Sequence, residues 1–235
     1  MEYFYTPPDN IASDTLTIEG DEFAHLTHVM RKKVGDAIRV VDGCGNVFDV
    51  VIEEIRRREA RCAIRARQRR LNEPRRDVTL AVALLKNGAK FDVLVEKCTE
   101  LGVNAIIPLV TERTLPRHAR SERWQKLALA AMKQSMRCVL PKVHEACTLQ
   151  AFLASVAADG LKLLPHEKVD SPSVREVLDS SGTQSVFICI GPEGGFSDDE
   201  VELARSAGFR PATLGSRRLR TETAAIVSSA LALLP

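Results

Sequence analysis

Two short stretches in the last fifth of the chain bring together residue types able to do chemistry. The first is Gly191-Pro192-Glu193-Gly194-Gly195-Phe196-Ser197. The second is Leu214-Gly215-Ser216-Arg217-Arg218-Leu219-Arg220-Thr221-Glu222-Thr223-Ala224. Three glycines and a proline make a tight loop whose main chain a ligand can approach closely. That loop follows the apolar run Val186 to Ile190, which reads as a buried strand. Ser197 with Glu200 is a capping-box pair and predicts a helix from Asp198 to Ala207. The second stretch repeats the plan: a short strand near Thr213, a glycine turn, then Thr221 opening an apolar helix that runs to the C-terminus. Two such loops at strand ends are where an open α/β sheet binds a small ligand. Two plainer readings stand beside this one: an ordinary strand-to-helix turn, and Thr221 as a simple N-cap. The Arg-Thr-Glu-Thr run favours a site, because buried apolar helices rarely start with so many hydrogen-bonding side chains. No Gly-Lys-Ser/Thr follows the glycines, and GxGxxG is absent, so neither nucleotide-loop pattern is present.

IGPEGGFS followed by LG-x-R-x-LRTETA resembles the RsmE family, enzymes that methylate a uridine of small-subunit (16S) ribosomal RNA at N3. That family belongs to the SPOUT superfamily of S-adenosylmethionine enzymes. Lys97 to Val103 (KCTELGV) is similar to its K-A-T-E-L-G-V, with Cys98 for alanine. Glu112-Arg113 and Gln134-Ser135-x-Arg137 fall where the family has E-R and Q-S-x-R. His25-Leu26, Val29-Met30-Arg31, Gly35-Asp36 and Asp42-Gly43 resemble its PUA-like RNA-binding domain. The resemblance covers nearly the whole chain. It implies an α/β fold: a small PUA-like β-barrel domain over residues 1–70, then a SPOUT methyltransferase domain over 75–235. That second domain would have a mostly parallel sheet and a C-terminal trefoil knot. General topology rules argue against knots, so the knot rests on resemblance alone. Three further positions depart from the family pattern. Ser216 replaces a proline, Arg218 replaces an aliphatic residue, and Glu2-Tyr3 stands where an arginine often precedes the aromatic pair.

Methyl transfer from a sulfonium needs a nucleophile in line with the methyl group and no metal. Uridine N3 is a weak acid, so its anion must be favoured, and a cation near the base oxygens does this. Arg220 is the candidate. Glu222 or Glu193 could take the proton or orient the base; alternatively Arg220 and Glu222 pair with each other or across a dimer. For S-adenosylmethionine, the resemblance implies contacts from Ile190, Gly191, Pro192, Glu193, Gly194 and Gly195. Further contacts come from Leu214, Gly215, Leu219, Arg220, Thr221, Thr223 and Ala224. Leu164 and His166, in Leu164-Pro165-His166-Glu167 at another strand end, could supply a third side.

Composition sets the outer bounds. The chain has 235 residues, 45% of them hydrophobic, enough for one large or two small domains with a sizeable core. It has no long uncharged apolar stretch and no basic-then-apolar leader, so neither a membrane span nor a signal peptide is expected. Six cysteines without a CxxC pair point to reduced core thiols in a cytoplasmic protein, with no metal. Net charge is +2, yet residues 56–76 carry ten arginines against Glu59 and Glu73. Such a run is either a solvated face or an RNA surface; its lack of lysine and its place beside a domain boundary favour RNA. The RNA candidates are Arg31, Arg65, Arg67, Arg69, Arg70, Arg113, Arg137, Arg217 and Arg218, with 16S RNA or the small ribosomal subunit as partner.

These residues need elements to hold them. Phe23 to Met30 reads as a short helix. Ala37 to Val41, Val47 to Ile55 and Ala60 to Ala66 read as strands of a small antiparallel barrel, the first two joined by a tight turn. Gln68 to Asp77 is polar and aperiodic, a linker. Then Val78 to Leu85 is a continuous apolar run, as for a parallel strand buried on both faces. Helices are predicted around Phe91 to Leu101 and Trp124 to Ser135, with strands at Asn104 to Val110 and Leu161 to Leu164. This alternation means α/β. The final helix is apolar around most of its circumference, which points to a homodimer. A SPOUT enzyme on another RNA site, a non-catalytic ribosome-assembly protein and a nucleotide hydrolase are the competing functions. The paired motifs, the intact glycines, and the missing phosphate lysine and metal carboxylates respectively disfavour them.

Overall fold

A computed structural model describes residues 3–115, 118–166 and 171–234. Glu2 and Glu167 lie outside the described residues. The chain divides into two compact units: 3–73 with Leu129–Leu140, and 74–128 with 141–234.

The first unit is a curled five-stranded sheet. Strands β1 (Tyr3–Tyr5) and β2 (Thr15–Glu19) precede a helical turn, α1 (Gly20–Ala24), which continues as a π-helical turn from His25 to Val29. Then come β3 (Ala37–Val41), β4 (Asn46–Ile55) and β5 (Glu59–Arg69). The order is β1-β3-β4-β5-β2, antiparallel except for β1 beside β3. The parallel β1 and the strand β2 were not among the expected elements: three residues at a chain end and a Thr-rich stretch carry too little periodicity. Register shifts at Asp49/Val50 and Ile52/Glu54 bend the β4–β5 pair, as bulges do. The Thr6 hydroxyl, just past β1, donates to the Thr17 carbonyl on β2, drawing the two sheet edges together. Phe4, Leu16, Ile18, Leu26, Val40, Phe48 and Ile52 fill the interior. β5 runs three residues beyond the expected Ala66, so Gln68 and Arg69 belong to a strand and not to the linker.

The second unit opens with β6 (Asp77–Ala83), α2 (Gly88–Leu101), β7 (Ala105–Val110) and α3 (Ser121–Gln134), whose last turns belong to the first unit. It continues with β8 (Lys142–Val143), β9 (Cys147–Thr148), α4 (Leu149–Ser155), β10 (Leu161–Pro165) and α5 (Val174–Asp179). Last come β11 (Ser185–Ile190), α6 (Asp198–Ser206), β12 (Arg210–Ala212) and α7 (Thr221–Leu233). The sheet order is β12-β10-β11-β6-β7-β8, with β9 also on β7, and every described pair is parallel. Val78, Leu80, Ala81, Val82 and Ala83 are all buried, as the continuous apolar run requires when helices cover both faces. The central pair is β6 with β11, and the connections leaving it go to opposite sides of the sheet. The loops that follow their carboxyl ends therefore open onto a shared crevice.

Candidate active site

The predicted capping box forms. Ser197 caps α6 through the Glu200 N–H, and the Glu200 carboxylate accepts from the Ser197 N–H. The second oxygen of Glu200 accepts from the Glu112 N–H at 2.8 Å, tying the loop after β7 to the start of α6. The glycine loop leaves β11 and turns at Pro192–Gly195, where the Gly195 N–H donates to the Pro192 carbonyl at 2.9 Å. Gly195 has φ +71°, a region that side-chain-bearing residues rarely adopt. A Cβ on Gly191 would lie 3.1 Å from the Phe196 ring, so a side chain there requires that ring to shift. Arg113 braces the turn, its Nη1 donating to the Gly194 carbonyl at 2.9 Å. The Lys86 N–H donates to Glu193 Oε1 at 3.1 Å.

The second loop is held by Thr213, whose hydroxyl accepts from the Gly215 N–H at 3.0 Å. Gly215 has φ +107°. Arg220 is the N-cap residue of α7, with extended backbone and no side-chain cap. The Thr221 hydroxyl reaches back 3.0 Å to the Gly191 carbonyl and joins helix to glycine loop.

Together these loops enclose a cavity of about 460 Å³, within the range of small-ligand sites. Of the expected residues it brings together His166, Ile190 to Gly195, Leu214, Gly215, Leu219, Arg220, Thr221, Glu222 and Ala224. Leu164 is not among them; it is fully buried in the apolar core with Phe152 and Phe209, and Pro165 takes its place at the cavity wall. Thr223 is exposed on α7 and does not line the cavity. The sequence reading missed Lys90, Pro165, Phe196 and Asp198 as lining residues. Lys90 had a signal: it follows Lys86-Asn87-Gly88-Ala89 just past β6, another strand-to-helix connection at the same sheet edge. The cavity suits S-adenosylmethionine on two observations. A Cβ at Gly195 or Gly215 would meet no protein atom within 4 Å, so at both positions the main chain borders open space. Ile190, Leu214, Leu219 and Ala224 give it apolar walls beside the backbone polar groups.

Its electrostatics centre on Glu222, in the first turn of α7, where the helix dipole favours an anion. Glu222 Oε1 is 3.0 Å from Lys90 Nζ. Glu222 Oε2 is buried and has no hydrogen-bond partner. Burial alone would raise the Glu222 pKa. Its own backbone N–H, the Lys90 ammonium and Arg220 outweigh that, and the carboxyl titrates below the ordinary glutamate range. Glu222 pairs with Lys90, where the alternative reading had paired it with Arg220 or with a dimer partner. Among the described residues, no three His, Cys, Asp or Glu side chains gather to hold a metal.

The nine arginines read as RNA contacts fall in four places. Arg65, Arg67, Arg69 and Arg70 are exposed along and just after β5, with Arg67 lying 4.9 Å over the Phe48 ring. Arg31 is exposed with φ +51°, next to exposed Val29 and Met30. Arg217 and Arg218 are exposed at the cavity, and Arg113 lines it while bracing Gly194. Arg137 does not fit an RNA contact. It is 2% exposed, and its Nη2 is 2.8 Å from Glu73 Oε2 inside the first unit.

The description "RNA methyltransferase domain" matches residues 72–233, and "RNA methyltransferase PUA domain" matches 18–65. The chain is 37% identical over 227 residues to a protein of Synechocystis named ribosomal RNA small subunit methyltransferase E, covering 95% of this chain and 74% of that protein. Among solved structures it resembles a ribosomal RNA small subunit methyltransferase E from Neisseria gonorrhoeae bound to S-adenosyl methionine. There the TM-score is 0.87 and the identity 29%, over 98% of this chain and 95% of that one. A probable rRNA-methyltransferase from Porphyromonas gingivalis gives TM-score 0.87 and 33% identity, over 97% and 95%.

Proposed function

Since the chain belongs to the ribosomal RNA small subunit methyltransferase E family, we propose that it methylates N3 of a uridine in 16S ribosomal RNA, using S-adenosylmethionine. The observation that carries this is the cavity at the sheet's carboxyl edge, where both glycine loops meet Arg220 and Glu222. Bound there, S-adenosylmethionine supplies an electrophilic methyl group on a sulfonium. The two glycine loops and the apolar walls hold it and exclude bulk water. Arg220, exposed at the N-cap of α7, stabilises the negative charge that spreads onto the uracil oxygens as N3 loses its proton. Such a donor contributes about 2.7–4 kcal/mol to a transition state. Glu222 offers its unpartnered Oε2 as acceptor for the N3 proton. Its low pKa makes it a weak base, so its main work is to orient the uracil.

The same reading extends to the rest of the chain. Residues 1–70 form the PUA-like part that holds RNA by its backbone, and 75–235 form the catalytic part, with the trefoil knot of the SPOUT superfamily. Support for the RNA surface comes from the exposed arginines on β5. The protein acts as a cytoplasmic homodimer. Ile226, Val227, Leu231 and Leu233 of α7 are only half-buried, which leaves apolar area for a partner. No described helix is long and apolar enough to cross a membrane.

Mass spectrometry of nucleosides from 16S RNA incubated with the protein and S-adenosylmethionine tests the central reading. It expects 3-methyluridine at one position. Methylation of another atom, or none, would refute it.

A further inference from the structure

Lys90 occupies the first turn of α2, which packs against α7, and lies outside the two glycine-loop motifs. Its ammonium lies 3.0 Å from Glu222 Oε1 and lines the same cavity. The pair is not an ordinary surface bridge, because the Glu222 side chain is only 15% exposed and its second oxygen is buried without a partner. A buried carboxylate oxygen left unsatisfied costs free energy unless something arrives to donate to it. The cavity is where that donor would come from.

We propose that Lys90 is a positioning residue for methyl transfer: by holding Oε1 it fixes the Glu222 carboxylate so that Oε2 accepts the N3–H of the incoming uracil. This rests on the uridine methylation proposed above. In the reaction the new bond joins the methyl carbon to N3, and the methyl–sulfur bond breaks. The bonding pair returns to sulfur, which becomes a neutral thioether. The N3 proton leaves toward Glu222 Oε2 and then to solvent. Lys90 takes no part in these bond changes. It fixes the carboxylate rotamer and keeps it ionised.

Other charges reach Glu222 as well. Arg220 precedes it on the same helix start, and Arg113, His166, Glu193, Asp198, Arg217 and Arg218 line the cavity from other loops. Of these only Arg220, with Lys90 and the backbone, contributes to lowering the Glu222 pKa. Because that pKa is lowered in the folded protein, removing Lys90 moves the titration of Glu222 upward.

The test uses the full chain and the variants Lys90→Ala, Lys90→Arg and Glu222→Gln. Carbon NMR of the glutamate carboxyls, with Glu222→Gln giving the assignment, is expected to show Glu222 titrating at higher pH in Lys90→Ala and back near the original value in Lys90→Arg. Single-turnover transfer on saturating RNA should fall roughly ten- to a hundredfold in Lys90→Ala, the scale of one charged hydrogen bond. Calorimetric affinity for S-adenosylmethionine should hold. In a Glu222→Gln background, Lys90→Ala should cost little more, because Lys90 acts through Glu222. An unmoved Glu222 titration, a normal transfer rate, or an undiminished loss in the Glu222→Gln background would each overturn the assignment of Lys90 while leaving uridine methylation standing. If the unaltered protein makes no methylated RNA, both fall.

Discussion

Thr221→Val replaces a buried hydroxyl by a methyl of nearly the same shape. Thr221 is 5% exposed, and its hydroxyl donates at 3.0 Å to the Gly191 carbonyl. Valine keeps the packing at the start of α7, and its helix propensity is close to that of threonine. What is lost is one hydrogen bond between the two halves of the site. A lost pair plus an acceptor left in a half-buried loop costs about 1–3 kcal/mol. For a chain of this size 1 kcal/mol moves Tm by about 2–4 °C. The ligand-free variant should therefore unfold about 2–12 °C lower by calorimetry, while Thr221→Ser stays near the parent. The glycine loop, no longer tied to α7, has to be ordered by the ligand, so affinity for S-adenosylmethionine should weaken about fivefold for each 1 kcal/mol, since 1.4 kcal/mol is a factor of ten. A normal Tm with weakened affinity would show that Thr221 is a direct ligand and not a brace. Normal values for both would refute the reasoning altogether.

Arg220→Ala should keep S-adenosylmethionine affinity but lose single-turnover transfer by about a hundredfold or more, the scale of one charge-stabilising group; a near-normal rate counts against it. Replacing Arg65, Arg67, Arg69 and Arg70 together with glutamine should lower the salt slope of RNA binding by about 3, because each phosphate contact contributes about 0.7–0.9. An unchanged slope would make the run a solvated face. Glu73→Ala removes the carboxylate paired with the buried Arg137 guanidinium and the acceptor for the Cys138 and Val139 N–H groups. It should destabilise the fold by about 3–5 kcal/mol in urea unfolding, and a loss under 1 kcal/mol would refute a structural role for that pair.

Whatever depends on local spacing was legible in the amino-acid sequence. The continuous run at Val78, the helical spacing of Phe91, Leu94, Val95 and Cys98, and the Ser197–Glu200 cap each describe one element against its immediate surroundings, and each formed where expected. The glycines at 195 and 215 were legible for the same reason, since their backbone angles are a property of the loop itself. Tertiary structure alone decided which elements meet. Lys90 finds Glu222 because α2 and α7 pack together beside the central β6–β11 pair, and strand order is not written in any window of residues. Leu164 and Thr223 sit at the right strand end and helix start yet point away from the cavity, because successive side chains of a strand or helix face different ways. Arginine shows the difference most plainly. The same side chain is a solvent-facing cation at Arg65, a brace on the glycine loop at Arg113 and a buried partner of Glu73 at Arg137. Its charge is fixed by its chemistry, but what that charge does is fixed by which partner the fold delivers to it.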